Sequence, residues 1–378
     1  MKSKYSLVSV RASRRFFMPT ILATALALAL SVKPSQGQAL FWDNTGGTAN
    51  AWNSLANWST VVAGGTNPAA TPGTGNVATF SATPIVGTAQ TVSLNNDQSI
   101  QGLDFTSAVT TATTLQAGGT NRILTLGTSG ITKAGTGAVT IGSATAGQQV
   151  AIALNAAQTW TNSNNTGAMT ITNGVSSNAS GARELTLGGT STAANTVSGI
   201  IANGSGTVSV AKSGAGNWTL SGANTYTGGT TISGGTLAIS NAASMGTAAV
   251  TVSGASTLRS TAAITYANSI AVNAGLTLST PTTGNSTSTY SGLLSGASAI
   301  TLANNSLGGA NMATFAFTNT SNTFTGNVIL PSTTGSSEAF SFASIGDGGN
   351  FTYSRPSWRE MVIYTGACLL YTSDAADE

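Results

Sequence analysis

Two eleven-residue stretches, ITKAGTGAVTI (Ile131 to Ile141) and VAKSGAGNWTL (Val210 to Leu220), align without a gap. Each reads as strand, Lys-x-Gly-x-Gly turn, strand. After the turn the apolar residues fall at every second position, Val139 and Ile141 in one copy and Trp218 and Leu220 in the other. A period of two sends alternate side chains to opposite faces, which is the pattern of a half-buried strand. The rhythm recurs in TLAIS (Thr236 to Ser240), AVTVSG (Ala249 to Gly254), SIAVNAGLTLS (Ser269 to Ser279) and AITLANN (Ala299 to Asn305). Short strands punctuated by Gly and Asn roughly every 20 to 25 residues predict an all-β chain wound as a β-solenoid.

Composition explains why these residues suit stacked coils. Only 6% of the chain is charged, against about 25% in ordinary globular domains. Coils stack at about 4.8 Å, so identical positions become neighbours in a ladder. Stacked Val, Ile and Leu fill a narrow core, Thr and Ser pair along exposed faces, and Gly or Asn takes the corners. Stacked charges would repel. A helical alternative is disfavoured, because Gly, Thr, Ser and Asn all lose free energy in a helix relative to Ala. Over residues 40–354 the expectation is on the order of a dozen coils, a rod roughly 60 Å long at the strand spacing.

The net charge of +3 suggests a basic protein, yet the cations crowd the ends. Between residues 40 and 354 there are only Arg122, Lys133, Arg183, Lys212 and Arg259, against Asp43, Asp97, Asp104, Glu184, Glu338 and Asp347. Five scattered cations make no basic face for phosphate contacts, so nucleic acid is not an expected partner. Residues 1–39 read as a signal peptide, with a basic start through Arg15, an apolar run from Ile21 to Val32, and small Gly37 and Ala39 before a cut ahead of Leu40. The apolar run is too short to span a bilayer, and SRRFF (Ser13 to Phe17) resembles the twin-arginine export motif. Residues 355–378 differ in composition from the rest. The peptide CLLYTSDAADE, Cys368 to Glu378, resembles the in-frame translation of a transposon-based sequencing adapter. Residues 368–378 are therefore expected to be an artefact, and the natural protein to continue beyond this fragment.

Chemistry is scarce along the chain. There is no histidine, and the one cysteine, Cys368, lies in that tail. A Ser-His-Asp relay, a Cys-His pair and histidine zinc sites are thereby excluded, and no cofactor is expected. Paired-carboxylate catalysis needs two acids converging within about 5 to 10 Å. The nearest pair in sequence, Asp97 and Asp104, flanks QSIQGLDF and reads as a loop followed by a strand end. Adjacent Arg183 and Glu184 are expected on opposite faces of a strand. GDGGN (Gly346 to Asn350) occurs once, without the nonapeptide period of calcium-binding solenoids, and reads as a turn.

The stretch GNWTLSGANTYTGGTTISGGTL, Gly216 to Leu237, closely resembles the autotransporter-associated β-strand repeat, also called the passenger-associated transport repeat. Gly222, Asn224, Thr225, Tyr226, Thr227, Gly228, Gly229, Thr230 and Leu237 match its pattern, within a copy spanning residues 213–240. Trp218 departs from the usual aliphatic residue, and SMGTAAVTVSG (Ser244 to Gly254) resembles the segment C-terminal to this repeat in such proteins. A weaker copy is NTFTGNVIL, residues 322–330, with Phe324 in place of the tyrosine and Asn327 in place of the second glycine. The resemblance implies a secreted, right-handed parallel β-helix of the passenger type, at a bacterial cell surface or outside it and associated with the outer membrane, with the repeat aiding export or folding. Tyr226 and Phe324 are expected as aromatic plugs against a turn, with Gly228 and Gly229 letting the backbone bend beneath them.

Three of the six tryptophans, Trp42, Trp52 and Trp58, lie within residues 40–60. Exposed, they would stack on sugar rings; buried, they would cap the first coil, whose core and strand edges need covering. The cap is the expectation. The whole chain then reads as a non-catalytic, structural and adhesive rod, with export machinery and polysaccharide or other surface ligands as partners. The alternatives are a polysaccharide lyase or glycoside hydrolase on the same fold, and a spacer stalk for a domain beyond the C-terminus.

Overall fold

The computed structural model describes residues 38–43, 50–81, 89–281, 286–303 and 312–330, together with strands Ser337–Phe342, Phe351–Tyr353, Val362–Thr365 and Cys368–Leu370. Apart from a single 3-10 turn, Leu55–Asn57, every element is a strand. They assemble into a 15-stranded, a 12-stranded and a 6-stranded sheet. Pairing is parallel throughout except at two places, Trp42 opposite Trp58 and Thr365 opposite Cys368. The chain is a β-solenoid.

Each coil lays one strand on the 15-stranded face and one on the 12-stranded face, in register with the coil before. Residues 208–212 thus lie on residues 183–187, and Thr230–Ile232 on residues 210–212. On the second face Trp218 pairs with Leu237, Leu237 with Leu258, and Leu258 with Leu278. These inward positions are fully buried, as are Val139, Ile141, Leu220 and Ile232. Between them run outward threonines, an unbroken ladder from Thr91 through Thr114, Thr140, Thr170 and Thr196 to Thr219. The coil length is less regular than the sequence suggests. Val139 pairs with Met169, a step of 30 residues, whereas Trp218 pairs with Leu237, a step of 19. Loops at the corners absorb the difference, since only the strands must keep register.

The third side of the rod changes character along its length. In early coils it is a branch of the 15-stranded sheet, made by the front halves of Gln98–Phe105 and Arg122–Lys133 and by Val150–Leu154, Val175–Ser177 and Ile201–Ala202. From Ile264–Tyr266 onward it is the 6-stranded sheet, lined by the stacked rings of Tyr266, Tyr290 and Phe317 at centroid distances of 4.6 and 4.9 Å. Val362–Thr365 adds to that sheet in parallel, and Cys368–Leu370 folds back on it.

At the N-terminal end, Gln38–Trp42 forms the first rung on Asn76–Phe80, so the strand straddles the expected cleavage point before Leu40. Trp42, Trp52 and Trp58 are all 0% exposed. Trp58 packs edge-on against both others, at 5.1 and 4.8 Å, and donates its indole N–H to Trp52 O at 2.6 Å. Buried rings cannot stack on sugar; Trp42 and Trp58 pack on Phe80, which stacks on Phe105. Residues 1–37 and the GDGGN stretch lie outside the described residues.

Candidate functional site

The third side has no strand between Leu220 and Thr230, and the nine matched repeat residues sit there or in the two strands after it. Asn224 to Thr227 still alternate, with Asn224 and Tyr226 inward and Thr225 and Thr227 exposed. Backbone pairing to the coil below is sparse: Ser221 N–H on Val197 O (3.1 Å), Thr225 N–H on Ile201 O (2.9 Å), Gly228 N–H on Val208 O (2.8 Å) and Val210 N–H on Gly229 O (3.1 Å). The side chain of Asn224 supplies the bonds that a strand would have made. Its Oδ1 accepts from Ile201 N–H at 2.8 Å and its Nδ2 donates to Ser244 O at 2.5 Å, so one buried amide ties three successive coils.

Tyr226 fills the space behind it and is 0% exposed. Thr230 Oγ1 donates to Met245 O at 3.0 Å, so the Tyr226 hydroxyl, 2.6 Å from Thr230 Oγ1, is the donor of that pair. Burial pushes the phenol well above its ordinary value. The glycines divide the remaining work. Gly229 takes a positive φ of 83° at the bend into Thr230–Ile232. Gly222 and Gly228 instead lie close to backbone, since a Cβ on either would fall 2.6 Å from Gly199 O or Val208 O. The glycine that bears on the Tyr226 ring is Gly246, in the next coil, where a Cβ would meet Cε2 at 2.7 Å. Sequence reasoning missed Gly246, although it lies within the SMGT just beyond the repeat.

The weaker copy repeats this geometry. Asn322 Oδ1 accepts from Leu294 N–H at 2.8 Å, and Thr323 N–H donates to Leu294 O at 2.9 Å. Phe324 is 0% exposed, with Gly326 close against its ring. The copy nevertheless sits one face further round. Thr230–Ile232 after the first copy joins the 15-stranded sheet, whereas Val328–Leu330 after the second joins the 12-stranded one. The cassette is therefore a way to turn a corner, independent of which face comes next.

The Lys-x-Gly-x-Gly turns hold a second feature that the sequence reading missed. Lys133 and Lys212 are both buried. Lys212 Nζ donates to Ser213 O, Gly214 O and Gly234 O at 2.8, 2.9 and 2.9 Å, while Lys133 Nζ donates to Gly135 O at 2.7 Å. An ammonium with three donors suits a ring of carbonyls that would otherwise turn inward unpaired. Burial pushes both lysines down to about 8.

The described carboxylates each engage a nearby partner, and Asp97 and Asp104 lie at opposite ends of one coil's strand, Gln98–Phe105. Asp43 Oδ2 accepts from Gly65 N–H, Asp97 Oδ1 from Ile123 N–H, and Asp104 Oδ1 from the Thr132 hydroxyl. Glu184 Oε1 accepts from the Thr186 hydroxyl, while Arg183 Nε turns to Asn155 O. Among the described residues no three His, Cys, Asp or Glu side chains converge as a metal site would require.

Comparison with known families returned one match. Residues 210–239 match the Passenger-associated-transport-repeat. The match takes in all nine predicted repeat residues and the Lys212 cradle. No curated protein and no solved structure matched the chain. A repeat associated with autotransporter passenger domains, carried on a β-solenoid, fits a passenger-type protein at an exported or cell-surface location.

Proposed function

We propose that the chain is the rod of an exported bacterial surface protein, non-catalytic and adhesive, in which the repeat cassette lets the coil turn where a third-side strand is absent. One observation carries the reading: the passenger-associated repeat is built into the solenoid itself, bonded to the coil before it and the coil after it through Asn224. A rod with threonine ladders offers many weak, repeated hydrogen-bonding positions, which suits multivalent contact with polysaccharide. Asp43, Asp97, Asp104 and Glu184, each hydrogen-bonded within the chain, support a binding role over a lyase or hydrolase. The test is expression of the full chain with its own leader in a Gram-negative host. Protease shaving of intact cells and retention of those cells on polysaccharide-coated beads are measured together. Surface exposure with retention supports the reading. Confinement to the cytoplasm overturns it, and so does release of reducing ends or unsaturated sugars from a polysaccharide panel.

A further inference from the structure

A groove of about 590 Å³ opens at one corner of the rod, on the coils just before the repeat cassette. That volume lies in the range of small-ligand sites. Its floor is set by strand register. Ile123 pairs with Ala151, Ala151 lies beside Gly174, and Gly174 beside Ile200. All four face outward, because the neighbouring Leu124, Ile152, Val175 and Ile201 are core. Two isoleucines, 46% and 50% exposed, thus bracket two positions with almost no side chain. At the strand spacing their backbones stand roughly 14 Å apart.

Packing does not require the glycine in that floor. A Cβ on Gly174 would meet only Ile200 O at 3.6 Å, an ordinary contact, whereas one on neighbouring Gly199 would lie 1.8 Å from Asn173 O. The opening is a feature of the surface and not a by-product of a tight turn. Beside it stands Arg122, whose Nε is sealed from water with no acceptor. No acidic side chain is among the lining residues, and the carboxylate next to them, Asp97, accepts from Ile123 N–H. The Arg122 Nε is out of reach of an incoming group, but Arg122 is only half-buried and lines the groove, so the terminal nitrogens of its guanidinium are the ones an acceptor from outside can meet. Two further donors face the same space. Gln149 uses its Oε1 to accept from Asn121 Nδ2 at 2.9 Å, which leaves its NH2 for the groove, and Thr172 lines the groove with no side-chain hydrogen bond among the described residues.

We propose that this groove binds a hexuronate unit of an acidic polysaccharide. The carboxylate takes the Arg122 fork, the C–H face of the ring lies on Ala151 and Gly174 between the isoleucines, and ring hydroxyls reach Gln149 and Thr172. A guanidinium matches a carboxylate in two parallel hydrogen bonds, which sets the ring's orientation. An acidic peptide suits the groove less well. The backbone groups of these rungs are already paired coil to coil, so no free edge is available for strand addition. The proposal deepens the adhesive reading and takes the class of polymer from it.

The test uses the full chain with trigalacturonate in calorimetry and polygalacturonate in affinity gels, each beside its methyl-esterified form. The acid is expected to bind at least tenfold more tightly than the ester. Arg122→Gln is expected to lose at least tenfold in affinity. Ala151→Leu, which fills the trough and leaves the arginine in place, is expected to do the same with an unchanged circular dichroism spectrum and Tm. Equal binding of acid and ester, or full binding by folded Ala151→Leu, overturns the proposal, and so does equal competition by polyglutamate. If the rod holds cells to neutral glycans yet ignores polygalacturonate, the groove assignment falls while the adhesive reading stands. If trigalacturonate binds and cells are not retained, the reverse holds.

Discussion

The Tyr226 ring lies directly on Gly246 of the next coil: a Cβ there would sit 2.7 Å from Cε2 and 2.6 Å from Tyr226 O. Gly246 also holds a positive φ of 69°. Gly246→Ala therefore combines overpacking with left-handed strain, and it is expected to cost about 3 kcal/mol. Gly229→Ala, with a similar φ but its nearest contact at 3.1 Å from Ala249 O, is expected to cost about 1 kcal/mol. Gly174→Ala, with open space, should leave stability unchanged. Urea midpoints of the three variants check this order, and equal losses at Gly246 and Gly229 would remove the ring contact as the cause.

Asn224 leaves two groups stranded when it is cut back. In Asn224→Ala the Ile201 N–H and Ser244 O lose their partners inside the rod, a loss of about 2–4 kcal/mol. Asn224→Asp keeps the acceptor for Ile201 and turns a carboxylate oxygen toward the Ser244 carbonyl. That variant is expected to be less stable at pH 7 than at pH 4, where the protonated acid can donate. Thermal melts at the two pH values, set against the parent chain, read the difference.

The outward and inward residues were legible in the sequence because a stacked strand imposes a period of two that little else produces. Trp218, Leu220, Ile232 and Leu237 are core for that reason, and the repeat residues stand out through their spacing. The roles of Lys133 and Lys212 were not legible. A lysine at a core position looks like an outward charge until the carbonyls of its own turn, and for Lys212 Gly234 O one coil on, are seen to surround it. The link from Tyr226 to Gly246 was hidden for a similar reason. It joins residues twenty apart, and the step from one coil to the next varies from 19 to 38 residues, so sequence spacing does not say which residues stack. Buried asparagines were expected to serve corners through their backbone, whereas Asn195, Asn224 and Asn268 act through side-chain amides that join coils.

Lys212 and Lys133 give a graded test of the carbonyl cradles. Lys212→Met keeps most of the side-chain volume and leaves three carbonyls without their donor, whereas Lys133→Met leaves one. Removing a desolvated charge offsets part of each loss. The expected net costs are about 2–3 kcal/mol at Lys212 and about 1 kcal/mol at Lys133. Denaturant titration at pH 7 checks the order. A Lys212→Met variant as stable as the parent would mean that the three carbonyls find water instead.

The same lysines, with the buried tyrosines, set the response to pH. Lys133 and Lys212 titrate near 8 in the folded chain and at 10.5 when unfolded. Between those values the unfolded chain holds more protons, so stability rises with pH, and the gain is lost as pH falls through 8. The tyrosines act in the opposite sense. Burial pushes Tyr266 up to about 12, and Tyr226 and Tyr290 are raised as well, from 10.0. Their stabilisation is complete below pH 10 and is lost as pH climbs through the folded values, because the unfolded phenols ionise first. Stability is therefore expected to rise from pH 8, peak near pH 10, and fall by pH 12. Urea midpoints across this range measure it. The Lys133→Met, Lys212→Met double variant should lose the rise and keep the fall, and a parent chain whose midpoint declines steadily from pH 8 would contradict the burial of the two ammonium groups.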